Sequence, residues 1–412
     1  MYWYAINGKR AVSLLPGLPF APAKPGVPEL FLLERDPRAG RVSWRVTDPR
    51  QLTAPAEDIS WLDSRRIAAE APPLPEAAAE AVRRGTVTAV NLRHPRWRKA
   101  VSLRVPGPRK KRVHLLAVGD VGGTLLTALK LLGGDVISAI GIHDLDERTV
   151  TRWVTEMGQI SWPWDYGALP EVEPAAPDRL FDCDVFLFAA ARAVPPVGSG
   201  VEDVRMAQFQ ANRAIVEEYA RQARAADFGG LFIVLSDPVD PLCRAAWRAS
   251  NTGADGGWDG LGLLPEQVQG FGLGVMNARA AYFAKHDRRF ASFLTEGRSF
   301  GPHGQGLVVA NSVEHYDDEL SRELTRLTLE ANLRIRELGF KPYAAPAVSS
   351  GAMQLLLALR GEWHCGSVPL GDVWFGCKNR FTRFGLETES LDLPDALLAR
   401  LRETWLALGE IG

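Results

Sequence analysis

The pattern of apolar and polar positions changes near residue 110. Before that point, short runs alternate apolar and polar residues, which is typical of strands with one buried face. These runs are bounded by Pro and Gly and occupy 29–34, 41–46, 86–92 and 100–105. A helical pattern over 75–84 follows a proline-rich stretch. We therefore predict a small β-rich or α+β accessory module over 1–108, in which we find no catalytic motif.

Beyond residue 113, apolar strands alternate with helical patterns, which predicts βαβ units and a parallel sheet. The predicted strands lie at 113–118, 136–143, 183–191 and 230–235, and the predicted helices at 124–132, 147–157 and 203–224. Their order indicates a doubly wound α/β sheet. The segment 106–112, PGPRKKR, is predicted to be an exposed inter-domain linker. A basic run can also contact nucleic acid, but a single short run in a neutral protein is more often a solvated connection.

Composition narrows the class of protein. The 412 residues are 46% hydrophobic and 24% charged, as in a globular chain of two or three domains. Lys and Arg number 48 and Asp and Glu 49, so the net charge of −1 favours neither a nucleic-acid nor a membrane partner. Four cysteines without a CxxC pair predict no disulfide framework and no metal site. The sequence shows neither a signal pattern nor an apolar stretch of membrane-spanning length, so we expect a cytoplasmic protein.

The stretch 117–123, AVGDVGG, follows a predicted strand and opens a predicted helix. It places Gly119 and Gly122 at the second and third glycines of a GxGxxG fingerprint, where the backbone can approach a diphosphate and the helix N-terminus faces it. Asp144 comes 22 residues after Gly122, at the end of the next strand, where a carboxylate can bind a ribose diol and repel a 2′-phosphate. NAD is thus favoured over NADP, although an ordinary tight turn or the nucleoside of a methyl donor gives a similar pattern. The predicted cofactor-binding residues are Gly119, Asp120, Val121, Gly122 and Asp144.

From about residue 113 to about 390 the chain resembles the lactate/malate dehydrogenase superfamily. Seven segments carry the resemblance in order: the glycine turn with Asp144, DVFLFAAARAVPP (184–196), VRMAQFQANRAIV (204–216), LSDPVDPL (235–242), GFGLGVMNARAAY (270–282), FGPHGQ (300–305) and VWFGCKNRFTRFG (373–385). The resemblance implies a Rossmann-type doubly wound parallel sheet followed by an α+β C-terminal domain. It also implies NAD as cofactor, a small-molecule 2-oxo or 2-hydroxy acid as substrate, and a homodimer or homotetramer.

The resemblance also assigns roles to individual residues. Arg279 matches the arginine that holds the substrate carboxylate, and a planar guanidinium suits that task. His303, inside GPHG, matches the proton donor and acceptor. Arg205 matches the loop cation that polarises the carbonyl, and Arg192 the arginine that helps to hold substrate in malate-type members. Asn212 matches a substrate-binding asparagine, with a polar position on a helix face as the competing interpretation.

Two residues depart from the family pattern. Met276 stands where the family has the aspartate that orients the histidine, and Asp237 stands where it has an asparagine near the substrate oxygen. We hypothesise that Asp237 pairs with His303 or contacts a cationic group of the substrate, such as an amine or imine. Asn277 is a weaker substitute partner for the histidine.

The substrate-selecting part of the sequence is also altered. The loop between Arg192 and Arg205 is longer than is usual in the family, and KPYA at 341–344 lacks the family's threonine. Lactate, malate and a bulkier oxo acid therefore all stay open as substrates. The predicted domains are the accessory module over 1–108, an NAD-binding domain over 109–240 and a substrate-binding α+β domain over 241–412. Two functions remain: an NAD-dependent dehydrogenase acting on CH–OH, or a catalytically weak relative that serves as an NAD-binding sensor or assembly protein.

Overall fold

The computed structural model describes residues 1–103, 107, 109–192 and 204–411, with the backbone alone at 204 and 205. The first of these segments is β-rich. Its strands are β1 (Tyr2–Ile6), β2 (Lys9–Ser13), β3 (Ala21–Pro22), β4 (Leu30–Leu33), β5 (Ser43–Arg45) and β6 (Thr88–Asn91), and its helices are α1 (Glu76–Arg83) and α2 (Trp97–Ser102). The elements predicted at 29–34, 41–46, 75–84 and 86–92 are confirmed as β4, β5, α1 and β6.

The strand predicted over 100–105 is wrong, because α2 occupies its first three positions. Trp97 and Val101, which are four positions apart and so share one face of this helix, pack into the same apolar cluster. The ring of Trp97 packs edge-on against Phe20, with 5.7 Å between the ring centroids. An apolar run this short fits both the helical period of 3.6 residues and the strand period of two residues. The packing of Trp97 against Phe20 favours the helix.

The middle of the chain forms the predicted parallel sheet with its helices. Its elements are β7 (Lys111–Leu116), α3 (Asp120–Leu132), β8 (Ile137–His143), α4 (Glu147–Gly158), β9 (Glu171–Pro174), β10 (Val185–Phe188), α5 (Val204–Ala225), β11 (Leu231–Val234), α6 (Val239–Ser250) and β12 (Val268–Gly270). Neighbouring strands in the order β12-β11-β10-β7-β8-β9 are all parallel. Because β7 begins at Lys111, the predicted linker ends earlier than expected.

The C-terminal part adds helices and an antiparallel set of strands. Its elements are α7 (Leu273–His286), α8 (Phe293–Glu296), β13 (Arg298–Phe300), β14 (Val308–Ala310), α9 (Asp318–Glu337), a π-helix (Pro346–Ala352), α10 (Met353–Arg360), β15 (His364–Leu370), β16 (Val373–Thr382), β17 (Gly385–Thr388) and α11 (Asp395–Glu410). Strands β15, β16 and β17 are successive antiparallel neighbours, and β15 meets β12 at Ser367 and Gly270. No helix in the described part of the chain combines the length and apolar character needed to cross a bilayer.

All three regions share one sheet. Strand β5 pairs in parallel with β17 through Trp44 and Leu386, so the described strands follow the order β3-β1-β2-β4-β6-β5-β17-β16-β15-β12-β11-β10-β7-β8-β9. The six parallel strands from β12 to β9 end at the same edge of this sheet. The turns that follow β7, β8, β10 and β11 therefore meet there, which is where open α/β sheets bind ligands.

A buried group of charges fixes the N-terminal region to the rest of the sheet. Glu57, whose side chain is fully buried, accepts hydrogen bonds from Arg35 Nη2 at 2.7 Å and Arg41 Nε at 2.9 Å. Arg41 Nη1 in turn donates to the carbonyl oxygen of Leu386 in β17, at 3.3 Å. Glu266, also fully buried, accepts from the backbone N–H and the hydroxyl of Ser43. Residues 41–43 are thus joined to β17 through Arg41 and to the segment before β12 through Glu266.

Removal of the Glu57 carboxylate should destabilise the protein strongly. In Glu57→Ala, two buried guanidinium groups lose their counter-charge, and we expect unfolding to become easier by about 3–5 kcal/mol in urea titrations. Glu76→Ala is the control, because the Glu76 side chain is 85% exposed although it also pairs with an arginine, and it should change stability little. Equal stability of the two variants would contradict this account.

Candidate active site

The turn between β7 and α3 has the shape of a phosphate cradle. Ala117 stands at the first fingerprint position with φ of +71°, and its N–H donates to the carbonyl of His143 at 2.8 Å. A Cβ atom at Gly122 would lie 2.0 Å from the Ala117 carbonyl oxygen, so only glycine fits there. A Cβ atom at Gly119 would meet no protein atom within 4 Å. The first N–H groups of α3, at Asp120 and Val121, therefore border open space beside a helix N-terminus, which suits a diphosphate.

Two carboxylates flank this turn. Asp144, directly after β8, accepts a hydrogen bond from the Val118 N–H at 2.9 Å and is half-buried, so it lies beside the cradle at the position expected for a ribose-binding acid. Asp120, the first residue of α3, pairs with Lys341 at 3.2 Å between Oδ2 and Nζ. This contact of Lys341 was not predicted from the sequence, and it brings the 341–346 loop next to the glycine turn. The Asp120 carboxylate would repel a phosphate bound at this turn unless a cation lay nearby.

His303 and Asp237 come together at the carboxyl edge of the sheet. Asp237 follows β11, and its Oδ1 atom lies 3.8 Å from Nδ1 of His303. This distance is longer than a hydrogen bond. The Asp237 Oδ1 atom is buried and has no hydrogen-bond partner among the described residues. The structure thus places a buried carboxylate oxygen beside the imidazole, and the pairing of these two residues stays a prediction.

The loop that carries His303 is shaped by glycines. Gly301 and Gly304 have φ of +83° and +136°, which other residues rarely adopt, so the chain turns sharply on both sides of the histidine. The imidazole packs against the backbone at Gly272, the residue before α7, where a Cβ atom would lie 2.8 Å from the Cβ of His303. His303 is therefore held between the end of β11 and the start of α7.

Arg279 lies on α7, one helical turn after Met276. Its Nη1 atom is 3.5 Å from the Met276 sulfur, and its Nη2 atom donates to Oδ1 of Asn332 on α9. Burial lowers the pKa of Arg279, and the negative charge of Asp237 partly offsets this shift. Met276 itself is buried in an apolar cluster and offers no carboxylate. Asn332 was not predicted, since its approach to Arg279 depends on how α9 packs against α7.

Asn212 lies between two backbone segments of the candidate site, and its predicted role as a substrate ligand stays a prediction. Its side chain is fully buried on α5, accepts from the N–H of Arg192 at 2.9 Å and donates to the carbonyl of Asp237 at 2.7 Å. The amide therefore joins the ends of β10 and β11. Arg192 is exposed at the end of that connection. The Arg205 side chain and the loop over 193–203 lie outside the described residues, so their predicted roles stay predictions.

Comparison with solved structures identifies the fold. Over 73% of this chain, the structure matches a lactate dehydrogenase from a Medee basin deep-sea metagenome library (TM-score 0.58), the minor L-lactate dehydrogenase of Enterococcus mundtii in its ligand-bound form (0.59) and the malate dehydrogenase of Archaeoglobus fulgidus in complex with NADH (0.58). Each is 17% identical to this chain, and 97–98% of each is covered. The fold is thus that of lactate and malate dehydrogenases, which confirms the predicted fold class.

The similarity in sequence covers less of the chain than the similarity in structure. The chain is 25% identical to the L-lactate dehydrogenase of Staphylococcus saprophyticus over 197 residues, or 48% of this chain and 55% of that enzyme. It is 24% identical to the L-lactate dehydrogenase of Corynebacterium jeikeium over 261 residues, or 61% of this chain and 74% of that enzyme. No protein-family model matches the chain. Together the two comparisons show a lactate/malate dehydrogenase fold and a distant sequence similarity to L-lactate dehydrogenases.

The two glycines of the turn should respond differently to alanine. Gly122→Ala forces a methyl group against the Ala117 carbonyl, and we expect a loss of stability of about 1–3 kcal/mol in thermal or urea unfolding. Gly119→Ala is the matched control, because its methyl group points into open space and should cost less than about 1 kcal/mol. A Gly122→Ala variant as stable as Gly119→Ala would contradict the close helix–strand approach.

Proposed function

We propose that this protein is an NAD-dependent oxidoreductase that interconverts 2-oxo and 2-hydroxy acids. One observation carries the proposal. Arg279 and Lys341 line the same cavity, and Lys341 pairs with Asp120 at the glycine turn. The charge of Asp237 acts on Arg279, and Asp237 also lies beside His303. A carboxylate-binding cation, a proton donor and a phosphate cradle are thus neighbours at one edge of the sheet. This set of groups is what hydride transfer to a 2-oxo acid requires.

The cradle fits a dinucleotide. Backbone N–H groups at 119–122 would bind the diphosphate, and Asp144 would accept hydrogen bonds from the ribose hydroxyls, which favours NAD over NADP. When bound, the nicotinamide would supply the hydride to the carbonyl carbon or accept it from the hydroxyl-bearing carbon. The structurally similar malate dehydrogenase of Archaeoglobus fulgidus was solved in complex with NADH, which supports the choice of cofactor.

The protein's own residues would then hold the substrate and move the proton. Arg279 would exchange its contact with Asn332 for two hydrogen bonds to the substrate carboxylate. In reduction, His303 would donate a proton to the carbonyl oxygen, and in oxidation it would take the hydroxyl proton. Asp237 would stabilise the charged imidazole, since closing the present 3.8 Å separation gives its buried oxygen a partner. By the family resemblance, Arg205 would polarise the carbonyl and Arg192 would help to hold the acid.

A second candidate is an NAD-binding sensor or assembly protein with little or no turnover. The observation that favours it is Met276, because a buried thioether cannot accept the hydrogen bond that the family's aspartate takes from the histidine. Turnover distinguishes the two functions. A homodimer or homotetramer, and a cytoplasmic location, stay predictions.

Activity should depend on His303 and Asp237 together. We expect NADH oxidation with a 2-oxo acid, followed by absorbance, to fall by about 100-fold or more in His303→Ala and in Asp237→Asn, since general acid catalysis and its orientation are lost. His315→Ala is the control, because His315 is exposed on a surface loop. NADH binding measured by calorimetry should be unchanged in all three variants. Unimpaired turnover in Asp237→Asn would refute the pairing, and NADH binding without turnover in the wild type would favour the sensor.

The charge of Asp120 should weaken cofactor binding. In Asp120→Asn, one negative charge beside the expected diphosphate is removed, and we expect NADH to bind several-fold more tightly by calorimetry, with a smaller gain at high salt. Asp135→Asn is a matched control, because Asp135 follows the other end of α3, is 54% exposed like Asp120 and also pairs with a cation. Equal NADH affinity in the two variants would place the diphosphate away from the glycine turn.

A further inference from the structure

A cavity of about 450 Å³ opens beside Arg279, between α7, α9 and the 341–346 loop. Its walls include Val275 and Tyr282 from α7, Ile335 from α9, and Tyr343 and Pro346 from the loop. We call it the Arg279 cavity. Tyr282, Ile335 and Tyr343 are 56%, 40% and 38% exposed, so the apolar walls are open to an incoming ligand.

The charges that line the Arg279 cavity are few and of one sign. Among the described lining residues, Arg279 and Lys341 are the charged ones, and none is acidic. Arg279 is half-buried in the wall, whereas the Lys341 side chain is 83% exposed and paired with Asp120. One embedded cation within apolar walls suits a ligand with a single anionic head and an apolar body.

The size of the cavity also favours a ligand with a large apolar group. A cavity of about 450 Å³ has room for several water molecules. A short acid such as pyruvate would fill a small part of this space and leave water against Tyr282, Ile335 and Pro346, which forgoes the free energy of apolar burial. A branched aliphatic or aromatic group would displace that water and contact the walls.

We propose that the substrate is a 2-oxo or 2-hydroxy acid with a large apolar side chain, which the Arg279 cavity holds while Arg279 binds the carboxylate. This inference rests on the proposed function, because it assigns the cavity to the substrate of that reaction. The sequence alone left lactate, malate and a bulkier oxo acid open as substrates. The inference selects the bulkier acid.

The first test compares acids on the wild-type protein with NADH. We expect kcat/KM for phenylpyruvate and 4-methyl-2-oxopentanoate to exceed that for pyruvate and oxaloacetate by at least about tenfold, since each well-packed methylene group can contribute up to about that factor. Equal values, or a preference for pyruvate or oxaloacetate, would overturn the inference and leave the proposed function standing.

The second test locates the side-chain site. Ile335→Ala should raise KM for phenylpyruvate by about fivefold and by clearly less for pyruvate, because it removes wall area that contacts the larger group alone. Leu333→Ala is the matched control on the same helix, since Leu333 is 52% exposed and lies outside the cavity lining. The inference fails if the two variants behave alike towards phenylpyruvate.

A binding measurement separates failure of the inference from failure of the proposed function. Phenylpyruvate and pyruvate are titrated by calorimetry into the His303→Ala variant with NADH present, so that no turnover is required. Tighter binding of phenylpyruvate supports the cavity assignment even if no acid is reduced by the wild type, in which case the proposed function alone is refuted. Binding of pyruvate with equal or greater affinity overturns the inference.

Discussion

The buried amide of Asn212 determines how the candidate site is assembled. It holds the backbone of Arg192, after β10, and that of Asp237, after β11, at hydrogen-bond distance on either side of α5. Both segments are irregular, and backbone groups buried in them need partners that no neighbouring strand supplies. Because the carbonyl of Asp237 is fixed in this way, its carboxylate lies close to His303. An apolar residue at 212 would leave the N–H of Arg192 and the carbonyl of Asp237 without this partner and would release the position of the acid, so Asn212 acts by positioning other residues.

We interpret the two departures from the pattern of the resembled family, Met276 and Asp237, as the loss of one carboxylate and the gain of another. By the family resemblance, Met276 stands where α7 would carry an aspartate, and Asp237 at the end of β11 places a carboxylate 3.8 Å from His303. Asp237 also attracts Arg279, whose pKa is lowered by burial. A single carboxylate thus compensates both the cation that would bind substrate and the imidazole that would be charged during the reaction. A charged histidine would give the buried Oδ1 atom of Asp237 a hydrogen-bond partner.

The parts of this structure that could be predicted from the sequence depend on local patterns. The glycine turn, its strand and helix, and Asp144 follow one another at fixed spacings, and the ordered motifs placed His303 near Asp237, where it lies in the structure. Contacts that depend on packing could not be predicted. Asn332 meets Arg279 because α9 packs on α7, and Lys341 reaches Asp120 because a loop 221 residues away passes the turn. Neither contact has a local sequence signal. Strands β1 and β2 were not predicted, and helix α2 was predicted as a strand because its short apolar run fits both a helical and a strand period.

The N-terminal region is best understood as an extension of the sheet. Without β5, the strand β17 would present unpaired N–H and C=O groups at a sheet edge, which is a site of unwanted strand pairing. The pairing of Trp44 with Leu386 and the hydrogen bond from Arg41 cover this edge. The sheet then continues to β3, a strand of two residues whose second residue is proline and cannot donate a backbone hydrogen bond. The hydrogen bonds of Ser43 to the buried Glu266 carboxylate hold this extension in place, because detaching β5 would leave that carboxylate without these donors. The region therefore contributes to the site indirectly, by stabilising β15 to β17, against which the parallel sheet and α7 pack.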